Sequence, residues 1–338
     1  MSVRASPDPM RAGFLDARPS RRKKPDPPPP AVPVSGSFSR ETSWRTRAPQ
    51  ATRAFLDAAC AGFWTHGHEV VSPGPETSVS AGSENLLLLL HGRGERSAAP
   101  FAALARKLNL PHTTCLSLAG PSPLPFGVPG REWFARLDSE TGEDLPTPSP
   151  GGDARRVASL ASTRKALDAL LDRLTDTTKG GWPADRTHVF GFSDGGTVAL
   201  EVSAARVGAR RLGGCAAASA AFLPERLADS TNAFPPDSRA PTPVALTCGE
   251  RDAVVTRVSV EETARVLRLR NPGVVAEVFV RDGEPGETHA AISGEPETRF
   301  LMRFWSGTLG VPKTRAENLG SDVVEVLDGK VDVAKVAS

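Results

Sequence analysis

Apolar and polar residues follow one another in blocks that predict alternating strands and helices. Residues 86–90 are five consecutive leucines, typical of a strand that is covered on both faces. Strands are predicted at residues 86–90, 113–118, 187–192, 214–219, 244–248 and 275–280, and helices at residues 51–64, 101–108, 154–175, 197–207, 258–270 and 296–305. This alternation predicts an α/β fold with a mainly parallel sheet and helices on both faces.

Composition separates a folded centre from two tails. Residues 1–48 are rich in Pro, Ser and Arg and carry too little apolar surface to offset the entropy lost on ordering. We predict a disordered arm at residues 1–48, a helical and loop extension at 49–83, an α/β domain at 84–307 and a loosely ordered tail at 308–338. The helix of the extension is expected to pack on the domain through Phe55, Ala59 and Phe63. In the tail, the alternation at residues 322–333 favours at most a marginal hairpin.

Charge argues against nucleic-acid binding by the folded domain. The arm carries ten Lys and Arg against four Asp and Glu, which leaves the rest of the chain near −4 because the whole chain is +2. The arm itself could act as a nuclear signal, an organellar transit peptide, a Pro-rich ligand for SH3 or WW partners, or only a solvated segment. No run is long enough for a membrane span and no secretory signal is visible, so we expect a cytoplasmic protein.

The chemistry of the chain centres on Ser193. An apolar strand runs into Gly191-Phe192-Ser193-Asp194-Gly195, a Gly-x-Ser-x-Gly sequence that a further glycine, Gly196, and a helix follow at once. Strand, sharp turn and helix in this order are typical of a nucleophile elbow. The glycines Gly191, Gly195 and Gly196 are expected where strand and helix approach closely, and the helix N-terminus favours developing negative charge at the serine.

The partners of such a serine follow it in the order acid, then histidine. Of the six histidines only His289 lies after Ser193, in a polar loop that follows a predicted strand. Asp252 is the candidate acid because it follows another predicted strand through a tight turn, with Glu250 in reserve. The other aspartates between Ser193 and His289 fit less well, since they lie at a helix end, in a Pro-rich loop and in a turn close to the histidine, at Asp229, Asp237 and Asp282.

An oxyanion hole is expected where the leucine strand ends. The sequence continues as His91-Gly92-Arg93-Gly94, and glycines there let a backbone N–H turn toward the nucleophile. The backbone amides of Arg93 and Asp194 are therefore the two candidate donors. His91 precedes the serine, so we interpret it as a residue that shapes the loop.

Nothing in the sequence predicts a metal or a cofactor. Cys60, Cys115, Cys215 and Cys248 show no paired spacing, and we expect them to be reduced core residues. His66 and His68 lack a third ligand nearby and are interpreted as solvated side chains.

Taken in order, these motifs resemble the phospholipase/carboxylesterase family, which includes acyl-protein thioesterases and lysophospholipases. The resemblance runs over about residues 84–306 and rests on residues 90–94, 179–196, 248–252 and 286–289, together with 119–121 and 133–134. It implies an α/β-hydrolase fold in which Ser193, Asp252 and His289 form the triad. The sequence departs from the family at Asp194, where Gln is common, and also at Arg93 and in the Pro-, Gly- and acid-rich segment 137–152.

The family resemblance implies hydrolysis of carboxylic ester or thioester bonds through an acyl-serine intermediate. The substrate would be an acylated small molecule, lipid or protein. A small-ester carboxylesterase, or an enzyme similar to dienelactone hydrolases with serine in place of cysteine, is an alternative. A different class is a hydrolase fold that serves as a binding module, with the Pro-rich arm recruiting SH3 or WW partners.

Overall fold

The computed structural model describes residues 49–73, 83–146, 153–228, 241–270, 274–283, 289–310, 326–327 and 330–331. The predicted arm at 1–48 lies outside the described residues, as do Asp229, Asp237 and nearly all of the tail after residue 310.

A seven-stranded sheet forms the centre of the molecule, in the strand order β1-β3-β2-β6-β7-β8-β9. All neighbouring strands in it run parallel except β1, which pairs antiparallel with β3. Two short antiparallel pairs, β4 with β5 and β10 with β11, lie outside this sheet. The strands are β1 (His68–Val71), β2 (Asn85–Leu90), β3 (Thr113–Leu118), β4 (Ser122–Pro123), β5 (Arg131–Glu132), β6 (Thr187–Phe192), β7 (Gly214–Ala218), β8 (Val244–Gly249), β9 (Ala276–Arg281), β10 (Val326–Leu327) and β11 (Lys330–Val331).

Helices cover both faces of the sheet. They are α1 (Pro49–Phe63), α2 (Ala99–Leu108), α3 (Ala154–Thr175), α4 (Asp194–Ala205), α5 (Pro224–Ala228), α6 (Arg257–Arg270) and α7 (Gly294–Thr308). The leucine run divides between the two faces. Leu86, Leu88 and Leu90 belong to the buried cluster that includes side chains of α1, α3, α4 and α6, whereas Leu87 and Leu89 belong to the cluster that includes side chains of α2 and α7. Because each leucine is fully buried, each contributes roughly 2 kcal/mol of hydrophobic stabilisation.

The N-terminal extension differs from its prediction in two ways. It contains β1, which forms an edge of the sheet and was not predicted. Helix α1 buries Leu56, Ala59 and Cys60, while Phe63 is 47% exposed, so the expected contact through Phe63 is wrong. Eight residues of helix rotate by about 80° beyond two full turns, which carries Phe63 away from the face that begins at Phe55.

The four cysteines are free and buried. Burial raises the pKa of Cys60, Cys115 and Cys215 to about 12 and that of Cys248 to about 11. Their thiols are therefore held in the protonated form inside the core.

The parallel strands bring the candidate site residues to one edge of the sheet. Strands β2, β6, β8 and β9 all end there, and the segments that follow them carry Arg93, Ser193, Asp252 and His289 respectively. Ligands of open α/β sheets bind outside the carboxyl ends of the strands, where these loops meet.

Candidate active site

Ser193 lies on a strained turn between β6 and α4. Its φ of +52° and ψ of −123° place it in a backbone region that a non-glycine residue rarely adopts. A Cβ on Gly195 would lie 2.3 Å from the carbonyl oxygen of His91, and one on Gly196 would lie 2.4 Å from the Ala220 Cβ. A Cβ on Gly191 would lie 2.4 Å from the Gly195 carbonyl oxygen. The three glycines are thus required by close approach of strand and helix.

A chain of hydrogen bonds joins the three side chains that the sequence singled out. His289 Nε2 lies 3.1 Å from Ser193 Oγ, and His289 Nδ1 lies 2.9 Å from Asp252 Oδ2. The imidazole packs at 4.9 Å, centroid to centroid, on the ring of Phe192, which comes directly before the serine. If Nδ1 carries the proton donated to Asp252, Nε2 is free to accept the proton of the serine hydroxyl.

Asp252 is itself held in one orientation. Its Oδ1 accepts backbone N–H bonds from Val254 at 2.8 Å and Val255 at 2.9 Å, which leaves Oδ2 directed at the histidine. The reserve acid Glu250 is turned away, in an exposed ion pair with Arg257 at 2.7 Å. Among the described candidate acids, only Asp252 contacts His289.

The loop after β2 is fixed by His91, which is fully buried. The backbone N–H of Gly120 donates to His91 Nε2 at 2.8 Å, so Nδ1 carries the ring proton and donates it to the Gly92 carbonyl at 2.7 Å. Burial lowers the pKa of His91, which keeps this neutral form. In a trans peptide the N–H points opposite to the C=O, so this bond also sets the direction of the Arg93 amide.

The candidate oxyanion donors lie on either side of the serine. A Cβ on Gly92 would lie 3.5 Å from the Ser193 Cβ, which shows how closely the loop before Arg93 approaches the nucleophile. The Asp194 amide is at the first position of α4, where the N–H groups have no partner within the helix. Two backbone donors at such positions can stabilise an oxyanion.

The side chain of Asp194, the residue after Ser193, is buried. Its Oδ1 lies 3.5 Å from Arg136 Nη1, while Oδ2 has no hydrogen-bond partner among the described residues. Burial raises the pKa of this carboxyl, and the positive charges of Arg136, Arg93 and His289 act in the opposite direction. Burial and the nearby Asp194 also raise the pKa of Glu132.

A cleft of about 490 Å³ opens next to Asp194 and to the segment that follows Asp252. One part of its lining is charged and the other is apolar. The charged side chains are Arg93, Arg136, Asp144, Arg156 and Asp194, and the apolar part comprises Leu145, Ala221, Phe222, Leu223, Pro224, Ala253, Val254 and Val255. Arg156 is neutralised by Glu225 at 2.5 Å, and Arg136 lies 5.9 Å from the centre of the Phe134 ring.

Two charged residues near Asp194, Arg136 and Glu132, were not identified from the sequence. Arg136 and Glu132 come from the segment around the short strands β4 and β5, where no periodic pattern indicates which side chains point inward. The sequence feature that could have indicated this segment is the aromatic pair Trp133-Phe134 between them, and both rings are buried in the structure.

The structure gives two negative findings within its described ranges. No group of three or more His, Cys, Asp or Glu residues there is arranged to hold a metal ion. The interpretation of His68 as a solvated side chain is wrong, because His68 lies in β1, is partly buried and contacts Asp57 at 2.9 Å. No helix in the same ranges combines the length and hydropathy needed to cross a bilayer.

Comparison with known sequences identifies one family. A family model described as phospholipase/carboxylesterase matches residues 77–280. An uncharacterized hydrolase of Mycosarcoma maydis is 39% identical over 129 residues, which make up 37% of this chain and 44% of that protein. The chain thus matches less than half the length of this curated relative.

Among the solved structures with the same fold are an esterase and an acyl-protein thioesterase. Esterase PE8 aligns with a TM-score of 0.55 at 24% identity, over 72% of this chain and 99% of that protein. Acyl-protein thioesterase 2 of Zea mays aligns with a TM-score of 0.51 at 19% identity, over 72% of this chain and 99% of that protein. The predicted α/β-hydrolase fold is confirmed by these similarities and by the mainly parallel sheet.

Proposed function

This chain belongs to the phospholipase/carboxylesterase family of hydrolases, and on that premise we propose that it cleaves carboxylic ester or thioester bonds of acylated substrates. The reaction would pass through an acyl-serine intermediate. The observation that carries the proposal is the continuous hydrogen-bonded chain from Ser193 through His289 to Asp252.

In the first step His289 Nε2 takes the proton of Ser193 as its Oγ attacks the acyl carbonyl. Asp252 keeps the imidazole oriented and stabilises the imidazolium that forms. The amides of Arg93 and Asp194 stabilise the negative oxygen of the tetrahedral intermediate. When the bond to the leaving group breaks, His289 donates its proton to the departing alcohol or thiol.

The second step returns the enzyme to its starting state. Water loses a proton to His289 as it attacks the acyl-serine carbonyl, and the same two amides stabilise the second oxyanion. His289 then protonates Ser193 Oγ as the carboxylic acid leaves. Each cycle consumes one water and one ester or thioester bond.

Labelling with a fluorophosphonate tests the activated serine. We expect the wild type to be labelled rapidly, and Ser193→Ala and His289→Ala to lose labelling. His68→Ala is a matched control, because His68 also contacts an aspartate at 2.9 Å but has no described serine bonded to its ring. Failure to label a well-folded wild type would contradict the proposal and favour the binding-module alternative.

The charged cleft favours a second candidate, a carboxylesterase for small esters. Arg136 is still 29% exposed, so covering its guanidinium with an alkyl chain would remove a charge from water without a compensating hydrogen bond. A chain-length series separates the two candidates. A small-ester enzyme will have a kcat/KM that is highest for acetyl and butyryl p-nitrophenyl esters, whereas a long-chain thioesterase will favour octanoyl and palmitoyl thioesters.

A further inference from the structure

A buried ion pair lies next to the segment that carries His289 but outside the three hydrogen-bonded side chains. Arg281, the last residue of β9, donates from Nη1 to Glu297 Oε2 on α7 at 2.6 Å. Only 6% of Arg281 and none of Glu297 is exposed. Removing two charges from water is costly, so such a pair is weak evidence for stability on its own.

The second nitrogen of Arg281 reaches the residue after the histidine. Arg281 Nη2 donates to Ser219 Oγ at 3.0 Å and to the Ala290 carbonyl at 3.4 Å. The Ser219 hydroxyl donates in turn to the same Ala290 carbonyl at 3.3 Å. Two donors therefore converge on the carbonyl adjacent to His289.

Glu297, the acidic member of the ion pair, also holds the segment after His289, at Ser293. Glu297 Oε2 accepts the backbone N–H of Ser293 at 2.6 Å as well as the Arg281 guanidinium. Ser219 directly follows β7 and is fully buried, and its backbone N–H donates to the Thr247 carbonyl of β8 at 2.7 Å, so the sheet fixes its backbone. The segment 290–293 is thus tied to β9, to the end of β7 and to α7.

We propose that Arg281 and Glu297 are positioning residues that hold His289 within reach of both Ser193 and Asp252. The inference rests on the proposed function, in which the imidazole must keep contacts of 2.9 and 3.1 Å at the same time. A shift of the ring by about 1 Å can cost on the order of a hundredfold in rate. The network acts on the histidine through the backbone and does not touch the substrate.

The test compares the activity of Arg281→Met with that of a variant in which another buried arginine is replaced by methionine. We expect Arg281→Met to lower kcat, and the rate of fluorophosphonate labelling, by about ten- to a hundredfold with KM nearly unchanged. Arg281→Lys keeps a positive charge for Glu297 but lacks the second nitrogen that contacts Ser219 and Ala290. It should therefore have a kcat between those of Arg281→Met and the wild type. Arg206→Met is the control, because Arg206 is 1% exposed and pairs with Asp168, on α3. Per folded molecule, this control should keep the wild-type kcat.

A double-mutant cycle distinguishes positioning from general destabilisation. Asp252→Asn already removes the charge that orients the imidazole, so adding Arg281→Met should cost less than about a further twofold. Full multiplication of the two losses would overturn the inference, as would an Arg281→Met variant that retains kcat or loses no more than Arg206→Met. If wild type is labelled and Ser193→Ala is not, these outcomes bear on positioning alone. A wild type that is not labelled would remove the proposed function, and the inference with it.

Discussion

At the scale of single residues, Asp194 combines a candidate oxyanion donor in its backbone with a buried carboxylate in its side chain. Asp194 contributes its amide to the candidate oxyanion hole, yet its side chain lies beside Arg136 with a raised pKa. An ionised Asp194 would oppose the oxyanion and would also stabilise the imidazolium of His289. The two effects have opposite signs, and the arginine neighbours reduce both.

We predict that Asp194→Gln retains kcat or raises it by up to about tenfold, because the amide keeps the backbone donor and removes the charge. Ester hydrolysis at saturating substrate measures this directly. Asp144→Asn is the control, since Asp144 lines the same cleft but is distant in sequence from the nucleophile. A loss of several hundredfold in Asp194→Gln would instead mean that the carboxylate assists the reaction.

At the scale of elements, the start of α4 lies so close to the end of β2 that a side chain at Gly195 has no room. A Cβ on Gly195 would press on two carbonyl oxygens, of His91 at 2.3 Å and of Leu90 at 2.5 Å. Leu90 is the last residue of β2, and His91 is the first residue of the candidate oxyanion loop that follows it. Displacing them would therefore disturb the nucleophile and its donors together.

We predict that Gly195→Ala lowers kcat by about a hundredfold or more, through misplacement of the elbow. Gly62→Ala in α1 is the matched control, because nothing lies within 4 Å of its added Cβ. That control should keep full activity and gain up to about 1 kcal/mol of unfolding free energy, since alanine favours a helix more than glycine does. Full activity in Gly195→Ala would show that the start of α4 can move away from the end of β2 without disturbing Ser193.

The elements also show what sequence alone could predict. Buried parallel strands have continuous apolar runs, so six of the seven strands of the central sheet were predicted to within about two residues. Strand β1 was missed because His68-Glu69-Val70-Val71 is a short edge segment with only two apolar residues. Ser193, Asp252 and His289 could be ranked by their order along the chain. The contacts of Arg136 and Arg281 depend on how distant loops pack, which no local pattern records.

At the scale of the whole molecule, a buried histidine far from the catalytic chemistry links folding to pH. His188 on β6 is fully buried and its Nε2 contacts the Thr308 carbonyl, at the end of α7, at 3.2 Å. Burial lowers its pKa from 6.5 to about 4. Between these two values the unfolded chain binds a proton that the folded chain does not, so stability falls as pH falls through this range.

We predict that the unfolding free energy contributed by this group drops by about 2 kcal/mol between about pH 7.5 and pH 5. Urea unfolding of the wild type at both pH values gives the total change in unfolding free energy. Carboxylates and His91 also contribute to that change. His188→Gln cannot take up the proton, so its loss over the same interval should be smaller by that amount. Identical slopes for the two proteins would contradict the assignment to His188.

The functions predicted for the Pro-rich arm, residues 1–48, rest on its composition. Recruitment of SH3 or WW partners through residues 25–33, or targeting by the basic run at residues 21–24, stays a prediction because these residues lie outside the described part of the chain. Deleting residues 1–48 and repeating the fluorophosphonate labelling would separate any role of the arm from the chemistry of the domain.

The buried cysteines make the folded protein suitable for a colorimetric thioester assay. A reagent such as dithionitrobenzoate reacts with thiolates, and all four thiols here are enclosed and protonated. Colour formed during turnover would therefore come from the released thiol product and not from the enzyme. Without substrate, the same reagent would give colour only as the protein unfolds and exposes its thiols. The rate of colour formation in such a blank would therefore report the rate of unfolding.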